Sequence, residues 1–278
     1  MIEIYYMNSK KRRLDLTGGS FKMLSVSNLF DYEWTYTTKG TSILNISSFN
    51  KRFVEKAISV VVSASTNEEY KEKITELMEI IDLDINVLTP GRLYVGKTYL
   101  ECFFVASKKP KRYVNTKSTT IELSIVAENG NWIYEDKKSF SIVTGEKYNS
   151  DGLDFPTDYP FDYANDLVSQ RIVNDNYASS DFEMIVYGPC ISPEVSIGLH
   201  TYKVDARLYI GEYMVIDSRS KKVYKVKNNG EKVNLFHARG RDFYIFEKIP
   251  SGIMAVSWSG EFGFDITLLS ERSEPVWT

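Results

Sequence analysis

Ser65 to Pro110, STNEEYKEKITELMEIIDLDINVLTPGRLYVGKTYLECFFVASKKP, decides how the chain is read. It runs from a polar turn through a helix and a Pro-Gly turn into a long aromatic strand. Thr66 is placed as an N-cap with Glu69 three residues on, so a capping box can satisfy two orphan N–H groups of the helix. Tyr70, Ile74, Leu77, Met78 and Ile81 recur at helical spacing and make one apolar stripe, with Lys71, Glu72, Glu76 and Glu79 off it. The pattern predicts an end near Asp82 to Asp84. Pro90-Gly91 punctuates the chain before Leu93-Tyr94-Val95-Gly96, and Thr98 to Lys108 reads as strand. A single amphipathic helix among strands must lay its stripe on a sheet.

On either side of this stretch, alternation dominates. Ile2, Ile4 and Tyr6 alternate with Glu3 and Tyr5, and Thr17-Gly18-Gly19 is a turn. Tyr32, Trp34 and Tyr36 alternate with Asp31, Glu33, Thr35 and Thr37, a half-buried strand pattern whose aromatic face belongs to the core or lies under another subunit. Phe53 to Ser63 is a strand with Ile58, Val60 and Val62 on one face. Ile121, Leu123 and Ile125 follow in the next strand, Asn129-Gly130 signals a hairpin, and Trp132 to Val143 is the returning strand. Residues 1–145 therefore read as a β-rich α+β domain with one helix.

Thr144 to Ser180 changes character, being poor in aliphatics and rich in Asp, Tyr, Asn and Pro. Residues 146–181 read as an ordered linker or lapping arm, because aromatics such as Tyr159 and Phe161 would be wasted in water. Asp151, Asp154, Asp158 and Asp162 lack EF-hand spacing and read as solvated loop carboxylates. From Phe182 to Thr278 the chain is nearly all strand. Tyr202, Val204, Ala206, Leu208 and Ile210 alternate with polar neighbours, Asn228-Asn229-Gly230 marks a hairpin, and Ile253 to Trp258 with Phe262 to Leu268 makes another around Ser259-Gly260. This spacing indicates a β-sandwich over 182–278, and the whole chain is mainly β.

Composition excludes several classes. With 278 residues, 43% hydrophobic and 26% charged, the chain is globular. A net charge of −3 gives no electrostatic case for nucleic-acid or membrane binding. The two cysteines, Cys102 and Cys190, form no CxxC pair and are expected as buried thiols. No run is long enough for a membrane span. Met1 to Gly18 carries Lys10-Lys11-Arg12-Arg13 in place of a signal peptide's apolar core, which predicts synthesis in a cytoplasm.

Catalytic chemistry is hard to find. His200 and His237 stand isolated, and there is no GxSxG, Walker loop or dinucleotide fingerprint. Glu261 and Asp265 share a strand face but lie too far apart for a close retaining pair, so they read as the wet face of a sheet. Trp258 beside them is a sugar-stacking residue or, more simply, core. No catalytic residue, metal or cofactor is expected.

A set of turns in fixed order carries a resemblance. Pro90-Gly91-x-Leu93-Tyr94-Val95, Asp154-Phe155-Pro156 through Tyr163, and Gly188-Pro189-Cys190-x-x-Pro193 come first. Gly211-Glu212-x-x-x-Ile216-Asp217, Lys248-Ile249-Pro250-x-Gly252 and Arg272-Ser273-Glu274-Pro275-Val276-Trp277 follow. Together they resemble the distal tail proteins (Dit) of long-tailed phages. The resemblance implies a structural, non-enzymatic role at the virion tail tip. It implies a hexameric ring built by the N-terminal domain and an outward galectin-like sandwich. The tail tube protein and the tail-associated hub protein would be partners, and in some relatives a receptor-binding protein is another. Trp34, Tyr36, Tyr159 and Phe161 are then the candidate subunit-interface residues. A ring around a DNA passage should not hold DNA, which a mildly acidic chain suits. The alternative reading is a cell-surface carbohydrate-binding protein that uses the C-terminal sandwich.

Overall fold

The computed structural model describes residues 2–25, 28–40, 45–51, 54–109, 116–127, 130–143 and 168–276. The fold is mainly β with one α-helix among these residues. Two compact units form, one of residues 1–134 with 271–278 and one of 135–270.

In the first unit, Val54–Ser63 pairs antiparallel with Phe21–Ser25 on one side and Ser118–Ala127 on the other. Ser118–Ala127 then pairs with the far half of Thr98–Lys108. The near half of that strand pairs with Gly91–Val95 and with the start of Trp132–Phe140. Gly91–Val95 pairs with Ile4–Met7, which pairs with Arg13–Asp15. One long strand serves two sets of neighbours because its register shifts between Phe104 and Ala106, a bulge that bends it. Ile58, Val60, Val62, Ile121, Leu123 and Ile125 are all buried, as their alternation predicts. Gly130 takes φ +55, but Asn129 and Phe53 lie outside the described residues. The expected hairpin does not form: Ser118–Ala127 pairs with Val54–Ser63 and Thr98–Lys108, whereas Trp132–Phe140 starts against Thr98–Lys108.

Helix α1 spans Asn67–Asn86, and Thr66 caps it by accepting from the Glu69 N–H. The Glu69 carboxylate reaches back to the Ser65 N–H at 2.8 Å, one residue before the cap. Leu77, Ile80 and Ile81 are buried, and Tyr70, Ile74 and Met78 pack partly buried on the same core. The helix lies against Thr98–Lys108 and Val54–Ser63. Each fully buried aliphatic contributes about 1.5–3 kcal/mol.

The helix runs past Asp84 because that carboxylate is itself buried. It accepts from Tyr6 Oη at 2.5 Å and from the Ser9 N–H at 2.8 Å. The helix then closes in a Schellman pattern, with Thr89 N–H donating to Asp84 O and Leu88 N–H to Ile85 O. Leu88 sits at φ 50, a position where glycine is usual and a leucine costs about 1–2 kcal/mol.

The second unit packs two sheets on one core. The first runs Lys232–Asn234, Lys222–Val226, Tyr213–Asp217, Asp181–Tyr187, Phe264–Arg272. The second runs Val168–Asn174, Gly252–Trp258, Glu194–Ile197, His200–Lys203. Met184, Ile216 and Ile266 from one meet Ile172, Val195 and Val256 from the other. Asn228-Asn229-Gly230 does join a hairpin, as its turn chemistry predicts. Ser259-Gly260 does not: Gly252–Trp258 and Phe264–Arg272 lie in different sheets, each with longer partners there. The expected strand through Ile210 breaks after Lys203, and Ile210 is exposed. Both cysteines are free thiols, but only Cys102 is fully buried; Cys190 is half-buried, and burial pushes its thiol up to about 11.

Candidate subunit interface

Trp34–Lys39 and Asn45–Lys51 form a two-stranded antiparallel ribbon that pairs with no other described strand. Opposed residues of such a pair share a face. Trp34 faces Lys51 and Tyr36 faces Phe49; past a register shift, Thr38 faces Ile46. Tyr32 joins them by alternation. One face therefore carries Tyr32, Trp34, Tyr36, Ile46, Phe49 and Lys51. The other carries Thr35, Thr37, Ser48 and Asn50, where Thr35 Oγ1 donates to Asn50 O and the Thr37 and Ser48 hydroxyls share a hydrogen bond.

Among the described residues nothing covers the apolar face. Trp34 is 46% exposed, Tyr36 63%, Phe49 59% and Ile46 56%, so the half-buried pattern expected here is not met within one chain. The alternation reports a face that is apolar without a core beneath it. A two-stranded ribbon is marginal alone in water, and a contiguous exposed apolar face marks an interaction site.

Lys51 anchors the ribbon's root. Its Nζ donates to Asn131 Oδ1 at 2.7 Å, and Asn131 Nδ2 donates to Glu271 at 2.9 Å. The ammonium also lies 5.7 Å from the Tyr32 ring centre and 5.8 Å from that of Trp34. Burial, reinforced by the nearby Lys56 charge, pushes Lys51 down to about 8. The field of the Glu271 carboxylate opposes that shift without cancelling it, so the cation held among these rings can accept a further carboxylate from outside.

Of the four residues expected at an interface, the structure places Trp34 and Tyr36 side by side on this face. Tyr159 and Phe161 lie outside the described residues, as do the four aspartates between 151 and 162. Ile46, Phe49 and Lys51 are contributors that only strand pairing reveals.

The other sequence candidates are absorbed by structure. Trp258 is buried, and its indole N–H donates to Phe262 O at 3.0 Å, so it offers no ring to a sugar. The Asp265 carboxylate is 8% exposed and accepts from Lys137 Nζ and Tyr187 Oη, each at 2.7 Å. Burial pushes this carboxyl up, but hydrogen bonds from Lys137, Ser139 and Tyr187 outweigh it and hold it below its ordinary value. A depressed carboxyl stabilises the fold above its unfolded pKa of about 4 and loses that contribution as pH falls through the folded value. Asp265→Asn should therefore lower the melting temperature at pH 7 and change it little at pH 2; equal loss at both would reject the ion-paired state. Glu261 precedes the strand that holds Asp265. His200 Nε2 bonds the Tyr244 carbonyl at 2.8 Å, and among the described residues no cluster of His, Cys, Asp and Glu could hold a metal. No described helix is long and apolar enough to cross a membrane.

No family model and no curated protein matches the sequence. Solved structures do match over the whole length. A chain of the phage P2 baseplate, in its activated conformation with calcium, aligns with TM-score 0.67 at 11% identity, covering 99% of both chains. The same baseplate with strontium gives 0.66 at 12% identity, covering 99% of this chain and 100% of that one. The Dit protein of phage SPP1, described as a paradigm of hub adsorption apparatus in phages infecting Gram-positive hosts, gives 0.58 at 10% identity, covering 98% and 99%. The chain thus has the fold of phage baseplate and Dit proteins from end to end.

Proposed function

We propose that this chain is a structural component of a phage or phage-like tail tip, acting by geometry and without catalysis. In this reading it forms a hexameric ring that joins the tail tube protein to the tail-associated hub protein. The 182–278 sandwich, galectin-like, then projects as a platform for a receptor-binding protein. One observation carries the reading: the match to baseplate and Dit structures runs through nearly every residue of both chains. The ribbon supports it independently. A ring needs head-to-tail contacts that close on themselves, and an amphipathic ribbon whose apolar face is exposed among the described residues supplies half of such a contact.

Within the expected arm 146–181, Val168–Asn174 is a strand of the sandwich and Ile172 lies in its core; a second contact is expected through Tyr159 and Phe161. Purified full-length chain should show a mass of six protomers in solution and six-fold rings in negative-stain images. Tyr159→Ala with Phe161→Ala should shift the population toward monomer and leave the protomer's melting temperature within a few degrees. Chains that remain monomeric alone and show no rotational symmetry in the native particle would refute the ring. The carbohydrate-binding alternative would instead be favoured by glycan-array binding of the full chain; the burial of Trp258 removes one ring on which a sugar could have stacked.

A further inference from the structure

The end of helix α1 combines two features that oppose protomer stability. Leu88 occupies the left-handed position of the Schellman closure, where glycine would be free of strain. The same side chain is 85% exposed, with Ile85 and Val87 beside it at 40% and 46%. Glycine at 88 would relieve both the backbone strain and the exposure of apolar surface. A strained residue that also wastes apolar surface points to a role outside the protomer.

The electrostatics of this knob are one-sided. The last turn of α1 carries no basic residue, so nothing on the helix itself offsets the partial negative charge of its C-terminus, and Arg12 of the neighbouring turn pairs with Glu79 further back along the helix. Asp82 adds an exposed carboxylate in the same turn. The ribbon has the opposite make-up: aromatic and aliphatic side chains around Lys51, whose ammonium is partly desolvated and bonded to an amide oxygen. Both surfaces are exposed in the same protomer, so neither covers the other within one chain.

We infer that the Ile85–Val87–Leu88 knob of one copy docks against the Tyr32–Trp34–Tyr36–Phe49 face of the next, with Lys51 meeting the acidic end of α1. This names the counterpart of the ribbon and rests on the ring reading above. Two different patches on one chain make a heterologous contact, the kind that propagates around an axis.

Leu88→Gly separates assembly from folding, because the two should move in opposite directions. The variant should melt at or above the wild-type temperature when diluted to monomer, and its self-association should weaken at least tenfold. Full-length protein with benzoylphenylalanine in place of Leu88, irradiated when assembled, should crosslink to residues 32–51 of a second copy. Unchanged association of Leu88→Gly would overturn the pairing. Crosslinks confined to other segments in an oligomer that still forms would also overturn it and leave the ring standing. A wild-type chain that never self-associates would remove both.

Discussion

Trp34→Ala combined with Tyr36→Ala is expected to weaken self-association at least a hundredfold while moving the protomer's melting temperature by only a few degrees. The asymmetry follows from exposure. Trp34 and Tyr36 are 46% and 63% exposed in the protomer, so truncating them removes little that folding has gained. Surface substitutions of this kind usually change stability by less than about 0.5 kcal/mol. Aromatic anchors that become buried on association are another matter: each can be worth about 2 kcal/mol or more, and about 1.4 kcal/mol is a tenfold change in affinity. The paired positions also matter. Tyr36 faces Phe49 and Trp34 faces Lys51, so the double change opens a continuous gap rather than two separate ones. Thr35→Ala, on the polar face, forfeits only an exposed hydrogen bond and should leave association near wild type. Sedimentation velocity over a concentration series, with thermal melts at the dilute end, reads both quantities. A double variant that loses protomer stability as steeply as assembly would mean that the ribbon is a folding element. One that assembles normally would mean that the apolar face is covered by something else.

Local pattern made the burial legible, and long-range pairing stayed hidden. Ile58-Val60-Val62 and Ile121-Leu123-Ile125 are core residues because a two-residue period reports the face of a strand wherever that strand ends up. The period says nothing about the neighbour. Asn129-Gly130 and Ser259-Gly260 both look like hairpin turns, yet the strands they join take partners far away in sequence. The helix illustrates the same limit. Its cap is legible, because Thr66 and Glu69 act within one turn. Its end is not, because Asp84 looks like a terminator and is instead buried against Tyr6, 78 residues away. The candidate interface divides likewise. Tyr32, Trp34 and Tyr36 announce a one-sided aromatic strand, but alternation is identical whether a face meets its own core or another chain. Ile46, Phe49 and Lys51 have no such signature, and the pairing register alone recruits them. Leu88 left a faint local trace: an apolar residue standing just past a helix, where glycine usually closes the turn.

Gly91→Ala should be the most damaging small substitution in the first unit, lowering its stability by about 3 kcal/mol. Pro90-Gly91 reads in sequence as simple punctuation, but the glycine has a specific steric duty. A Cβ there would stand 2.1 Å from Tyr6 Oη, 2.4 Å from Tyr6 Cζ and 2.6 Å from Asp84 Oδ2. None of these atoms can yield easily. The Tyr6 ring is fully buried and packs edge-on to Phe104 at 4.7 Å, and its hydroxyl holds the buried Asp84 carboxylate. Making room means displacing the ring or parting it from Asp84, which would leave that carboxylate with the Ser9 N–H. For a unit of this size, about 3 kcal/mol corresponds to a fall of roughly 6–12 °C in melting temperature. Gly18→Ala is the control, since nothing lies within 4 Å of a Cβ at Gly18. Tyr6→Phe is the diagnostic partner. It removes the atom in closest conflict, so the double variant should be less destabilised than the sum of the two single ones, a coupling that only direct contact produces. Strict additivity, or a Gly91→Ala protein that melts like wild type, would show that the tyrosine does not lie across the glycine.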